Sequence, residues 1–108
     1  IEAVGPAAEV AAPPDAVVIE GRGRTLLPGL IDMHVHVWDE AELPAFLAAG
    51  VTTVRNASGM PFHLRLRERL EAEGLVGPRL VTTGPLLNSH RPNEQVNHQF
   101  VETAEQAR

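Results

Sequence analysis

The sequence predicts an α/β fold built on a parallel sheet. Three observations carry that expectation. From Leu30 onward, short aliphatic and β-branched runs alternate with segments of helical periodicity. A glycine closes each helical segment, at Gly50 and Gly74. Strands joined through helices need crossover connections, which make neighbouring strands parallel and the crossovers right-handed.

The elements follow in order. Residues 1–14 are rich in Ala and Pro, with little periodic signal. Ile1–Val4 and Ala16–Ile19 read as short strands, Gly21-Arg22-Gly23 as a turn and Thr25–Leu27 as resumed extended chain. Residues 1–27 therefore read as part of a separate β-rich unit, and residues 28–108 as the α/β unit. Leu30–Val37 is its first strand, apolar enough to be buried. Asp39-Glu40 suits a helix entrance. Leu43, Phe46 and Leu47 fall at i, i+3 and i+4 on one helix face, with Pro44 tolerable only in the first turn.

Val51–Val54 is the second strand, and Asn56–Pro61 a loop. A helix over residues 62–73 places Phe62, Leu66 and Leu70 on its apolar face. Arg65, Arg67, Glu68, Arg69, Glu71 and Glu73 give it a solvated face with ion pairs, and His63 is expected at the surface. Leu80–Thr83 is the third strand, closed by Gly84-Pro85. Leu86–Val101 is expected to be a long polar loop. Thr103 and Gln106 have the spacing of a capping box that opens a third helix. Three strands close nothing, and a (β/α)8 barrel takes roughly 250 residues. The sequence is thus expected to be truncated at both ends.

Composition narrows the function. The chain has 108 residues, is 44% hydrophobic and carries a net charge of −5. All basic residues are arginines in no run, so nucleic acid is not expected as a partner. No apolar run approaches a membrane span. Without cysteine there is neither a disulfide nor a thiolate metal site. Any transition-metal site must use histidine and carboxylate. Without lysine, no step that needs one can be completed within the chain. The expected location is the cytoplasm, with a signal peptide left open because the N-terminus is missing.

His34 and His36 are the candidate metal ligands. Side chains alternate along a strand, so Asp32, His34 and His36 share one side, and Ile31, Met33, Val35 and Val37 the other. Two imidazoles one strand repeat apart, roughly 6–7 Å between Cα atoms, can converge on one ion. Satisfied strand histidines are the plainer alternative. The pair ends a strand that opens a βα series, where barrel active sites are built. Asp32, one step deeper, is placed to support an imidazole from behind.

The run Gly21-Arg22-Gly23-Arg24-Thr25-Leu26-Leu27-Pro28-Gly29-Leu30-Ile31-Asp32-Met33-His34-Val35-His36 resembles the barrel entry of the amidohydrolase superfamily of metal-dependent hydrolases. Ala48-Ala49-Gly50-Val51-Thr52-Thr53-Val54-Arg55-Asn56 and Gly77-Pro78-Arg79-Leu80-Val81-Thr82-Thr83-Gly84-Pro85-Leu86-Leu87 resemble the next two strands of its imidazolonepropionase-like and prolidase-like branch. The resemblance implies a (β/α)8 TIM barrel, of which this chain supplies the first three βα units. It also implies a small β-sandwich composed from both chain ends, with residues 1–27 as part of it.

The resemblance further implies one or two divalent metal ions, often zinc, held in part by His34 and His36. A bridging carboxylated lysine, two further histidines and an aspartate acting as general base would lie outside this chain, so no catalytic acid or base is assigned within it. That branch usually ends its second strand in Arg-Asp. Here it is Arg55-Asn56, so Asn56 is given no catalytic role, and Arg55 is divided between a substrate carboxylate and a structural salt bridge. Asn88, His90, Arg91, Asn93 and His98 are candidates for substrate contact, with solvated loop residues as the default.

The leading expectation is hydrolysis of an amide or cyclic amide by metal-activated water, as in a dipeptidase or an imidazolonepropionase-like enzyme. The substrate would be a small amide or peptide, and a homo-oligomer is left open. Deamination of a nitrogen heterocycle and lactone hydrolysis are alternatives within the superfamily, and a non-catalytic relative is another. The 108 residues alone are expected to be inactive, because an unclosed parallel sheet leaves strand edges and an apolar face uncovered. Hydrolytic turnover by the purified chain would contradict that expectation.

Overall fold

The computed structural model describes residues 1–90, 95 and 97–108. Three parallel strands form its centre: β1 (Leu30–Val35), β2 (Val51–Asn56) and β3 (Arg79–Thr82), in the spatial order β1-β2-β3. Helix α1 (Leu43–Ala48) connects the first pair, and α2 (Pro61–Ala72) the second. The expected strand–helix alternation is therefore present. A 3-10 turn at Glu40–Glu42 precedes α1, and the Asp39 carboxylate caps it by accepting from the Ala41 N–H at 2.8 Å.

One face of the sheet makes the core. Val35, Val37, Leu43, Val54, Leu66 and Leu80 are buried together, with Phe46, Phe62 and Leu70 packed against them. Leu43, Phe46, Phe62, Leu66 and Leu70 are helix positions that periodicity singled out, whereas Leu47, singled out with them, is 37% exposed and lies outside the core. The rest of β1 is not buried as expected: Leu30, Ile31 and Met33 are 62%, 61% and 54% exposed. β1 is one edge of the sheet, and among the described residues no element covers its N-terminal half. Its pairing is also irregular. Asp32 pairs with Val54 and Val35 with Asn56, so three steps on β1 oppose two on β2. A bulge of this kind re-aims side chains locally, and this one falls just before His36.

Residues 1–29 contain no strand, and every one of them is exposed. The strands expected at Ile1–Val4 and Ala16–Ile19 are not formed. A strand is held by a partner's ladder and a buried face, and Val17 and Ile19 are 90% and 89% exposed with neither. The turn expected between Ala16–Ile19 and Thr25–Leu27 does form. Arg22 and Gly23 both have positive φ, and Arg24 N–H reaches Gly21 O at 2.9 Å. Positive φ at both central residues is the requirement of a type I′ hairpin turn.

Two short strands form where a polar loop was expected. β4 (Leu86–Asn88) and β5 (His98–Phe100) pair in parallel as a separate two-stranded ribbon. Spacing gave no warning, because three-residue strands carry too short a pattern to read. At the chain's end the capping box closes as expected. Gln106 Oε1 accepts from Thr103 N at 3.1 Å, and Gln106 N donates to Thr103 Oγ1 at 3.2 Å. Turns rather than a regular helix follow it.

Two glycines are required by geometry. Gly50 ends α1 at φ +80°, and its carbonyl receives Leu30 N at 2.8 Å, joining the helix exit to the start of β1. Gly59 is different: a Cβ there would lie 1.9 Å from the Thr83 carbonyl oxygen. Its bare backbone lets the loop after β2 touch the exit of β3, where Gly59 N donates to Gly84 O at 2.9 Å. Gly59→Ala is therefore expected to destabilise the protein by about 2–4 kcal/mol, the scale of overpacking and backbone strain. Denaturant unfolding of the intact protein measures it, and an unchanged midpoint would contradict the close approach.

Candidate metal centre

The C-terminal ends of β1, β2 and β3 are joined by one side chain. Asn56, the last residue of β2, is fully buried. Its Oδ1 accepts from Val37 N at 2.8 Å, just beyond β1, and its Nδ2 donates to Thr82 Oγ1 at 3.2 Å, at the end of β3. Its backbone carbonyl accepts from Thr83 N at 3.0 Å. Sequence comparison with the Arg-Asp pattern showed only a missing carboxylate at this position. The structure shows a neutral amide using one donor and one acceptor to cross-link two neighbours.

His63 adds a second tie and corrects the surface expectation, being 1% exposed. It sits in the first turn of α2. Its Nδ1 accepts from Met60 N at 2.9 Å, filling the role of a capping side chain. Its Nε2 is 2.8 Å from Val37 O. A carbonyl only accepts, so Nε2 carries the proton. The imidazole is thus a structural bridge between the α2 N-terminus and the chain leaving β1. A helix-start position with apolar neighbours gave no sign of that bond, which spans 26 residues.

His34 and His36 lie on the open side of this frame, both exposed. Their ring centroids are 5.2 Å apart at 78°. His36 Nδ1 lies 3.0 Å from Ala57 O. The carbonyl again decides the tautomer: Nδ1–H donates, and the Nε2 lone pair is left for a ligand. Metal-binding histidines characteristically donate the second ring N–H in this way. Asp32 acts otherwise than expected. Its carboxylate accepts the main-chain N–H of His34 at 3.0 Å, so it fixes the backbone at the histidine rather than the imidazole.

Both histidines face a cleft of about 530 Å³ that Trp38, Ala57, Ser58, Asn97 and His98 also line. Of the loop candidates, His98 therefore lies at the same cleft. Asn88 donates toward His98 Nδ1 at 3.3 Å. His90 stacks on Phe100 with centroids 4.4 Å apart. Arg91 and Asn93 lie outside the described residues. Arg55 is exposed and makes no ion pair among the described residues. On α2, Arg69 pairs with Glu40 and with Glu73. The hydrogen bond and charge of Glu40, with a smaller part from Glu73, raise the guanidinium pKa above its ordinary value.

Among the described residues, no group of three or more His, Cys, Asp or Glu side chains is gathered as a metal would need. What the chain brings together is two histidines at one cleft, with His36 Nδ1 held at Ala57 O. No helix among the described residues is long and apolar enough to cross a membrane.

No protein-family model matches the sequence. The chain is 39% identical over 84 residues to adenine deaminase of Paracoccus denitrificans (strain Pd 1222), covering 78% of this chain and 14% of that protein. Its fold matches the crystal structure of an amidohydrolase with a TM-score of 0.68 at 22% identity, over 91% of this chain and 33% of the other. The chain thus has the fold of the solved amidohydrolase and resembles the deaminase in sequence. It spans about a seventh of the deaminase's length and a third of the solved amidohydrolase's. The mixed α/β fold with parallel strands agrees with that likeness.

Asn56→Leu keeps the approximate volume and removes both cross-strand bonds, leaving Val37 N–H unpaired. It is expected to cost about 2–4 kcal/mol in the intact protein. Asn56→Asp, which keeps the acceptor for Val37, should cost less. Equal losses in chemical denaturation would show that the Val37 bond carries none of the effect.

Proposed function

We propose that this chain supplies two metal ligands, His34 and His36, to a metal-dependent hydrolase that cleaves a carbon–nitrogen bond. The single observation behind this reading is the contact of His36 Nδ1 with Ala57 O at 3.0 Å. Nδ1–H is committed to Ala57 O, and Nε2 points its lone pair away from that bond. His34 stands beside it across the same cleft. These residues fit a divalent ion, zinc foremost, as part of a ligand set. A catalytic zinc takes three protein ligands, so the remainder belongs to other parts of the intact protein.

When bound, the ion would lower the pKa of water and polarise the bond under attack. This chain's residues do the preparatory work. Asp32 holds the His34 main chain, Ala57 O orients the His36 ring, and Asn56 keeps the ends of the three strands in register. Residues 1–27 belong in this reading to a small β-rich domain, and the type I′ turn at Arg22-Gly23 supports that assignment. The three parallel strands and the two helices between them belong in this reading to a (β/α)8 barrel.

For the bond cleaved, likeness to adenine deaminase favours removal of an exocyclic amine from a nitrogen heterocycle. The peptide or cyclic-amide reading rests only on motifs, and no residue of the cleft selects it. Both reactions are hydrolyses at carbon bearing nitrogen, so the two-histidine edge serves either.

Metal analysis of the intact protein tests the ligand reading. The wild type should retain about one equivalent or more of divalent ion. His34→Ala and His36→Ala should each lose it, with turnover lower by more than about 100-fold, beyond the loss typical of a supporting residue. Full metal content in both variants would overturn the assignment. Ammonia release from aminopurines, set against dipeptide cleavage, separates the two bond types.

A further inference from the structure

We propose that Ser58 and Asn97 form a clamp that positions His36 for the ion, an inference that rests on reading His34 and His36 as ligands. The acceptor that sets the His36 tautomer is a main-chain carbonyl, Ala57 O. Its direction depends on how residues 57 and 58 are held. On one side, Ala57 N donates to Val35 O at 2.9 Å. On the other, Ser58 takes φ +58°, in the left-handed region that non-glycine residues rarely occupy. Such a conformation persists only where its surroundings over-determine it.

Asn97 supplies that determination. Its Nδ2 donates to Ser58 Oγ at 2.7 Å and faces Ser58 O at 3.4 Å, across 39 residues of sequence. The side chain is 5% exposed, and its Oδ1 is buried without a hydrogen-bond partner. A buried amide with its acceptor unpaired is a poor source of stability. Simple fastening of the β4–β5 ribbon is therefore a weak account of it. Its two contacts both fall on the residue next to Ala57, and Ala57, Ser58, Asn97 and both histidines line one cleft. The clamp acts through Ala57 O, so Ser58 and Asn97 are positioning residues, not ligands.

The test uses the intact, metal-stripped protein with Asn97→Ala and Ser58→Gly. Glycine accepts the positive φ, so the second variant removes the hydroxyl contact without adding strain and serves if the first fails to fold. Two readouts are needed. The ¹⁵N chemical shifts of the His36 ring report its tautomer without any metal. Competition with a chelator for Zn²⁺ reports affinity. The wild type should show a single Nδ1–H tautomer. Each variant should show a mixture and bind Zn²⁺ about 10–100-fold more weakly, the loss typical of a removed supporting partner. The double variant should be no weaker than the worse single one, because both act through one contact. An unchanged tautomer, or Zn²⁺ affinity within about threefold of wild type, overturns the clamp. A wild type that takes up no Zn²⁺, while its tautomer still responds to Asn97→Ala, overturns the metal reading and upholds the clamp on His36.

Discussion

The candidate site depends on how the chain leaves β2. Asn56 and Ala57 are adjacent, and between them they fix everything that matters at the open ends of the strands. The Asn56 amide binds Val37 N and Thr82 Oγ1, and its carbonyl binds Thr83 N. Ala57 N binds Val35 O, and Ala57 O receives the His36 ring. Residues on both sides of His36 are thus held by two consecutive residues, the last of β2 and the one after it. Buried polar groups that are fully paired rigidify their surroundings, and Asn56 is paired on both amide atoms.

This arrangement suits an edge strand. β1 has a bulge and an uncovered N-terminal half, so its own packing gives little precision to the two histidines. Precision comes from β2, which is central and paired on both sides. His63 adds to it by gripping Val37 O from α2. The His34 backbone is held separately by Asp32. Each histidine is therefore oriented by a different device, one acting on the main chain and one on the ring. Gly59 keeps the following loop against the exit of β3, which brings Ser58 within reach of Asn97.

The legible part of the fold was local. Apolar residues at helical spacing, such as Leu43 and Leu66, are in the core because periodicity reports which face a helix buries. The reciprocal Thr103–Gln106 contacts form because a capping box spans only three residues. The His34–His36 pair was visible in its i, i+2 spacing, although β1 ends at Val35 and His36 lies just beyond it, after a bulge. What stayed hidden is long-range. His63 bonds Val37, Asn56 bonds Thr82, and Asn97 bonds Ser58, at separations of 26, 26 and 39 residues. Neither hydropathy nor motif records such pairs. The N-terminal strands were misjudged for a related reason. Val17 and Ile19 have the composition of a strand, but a strand also needs a partner, which composition does not supply.

The central claim is that His34 and His36 bind one ion through ring nitrogens made ready by their neighbours. X-ray absorption at the zinc edge of the zinc-loaded intact protein tests it most directly. The account predicts imidazole scattering from at least two histidines at about 2.0–2.1 Å, reduced by one in His36→Gln. A spectrum whose imidazole contribution is unchanged by that substitution would contradict it.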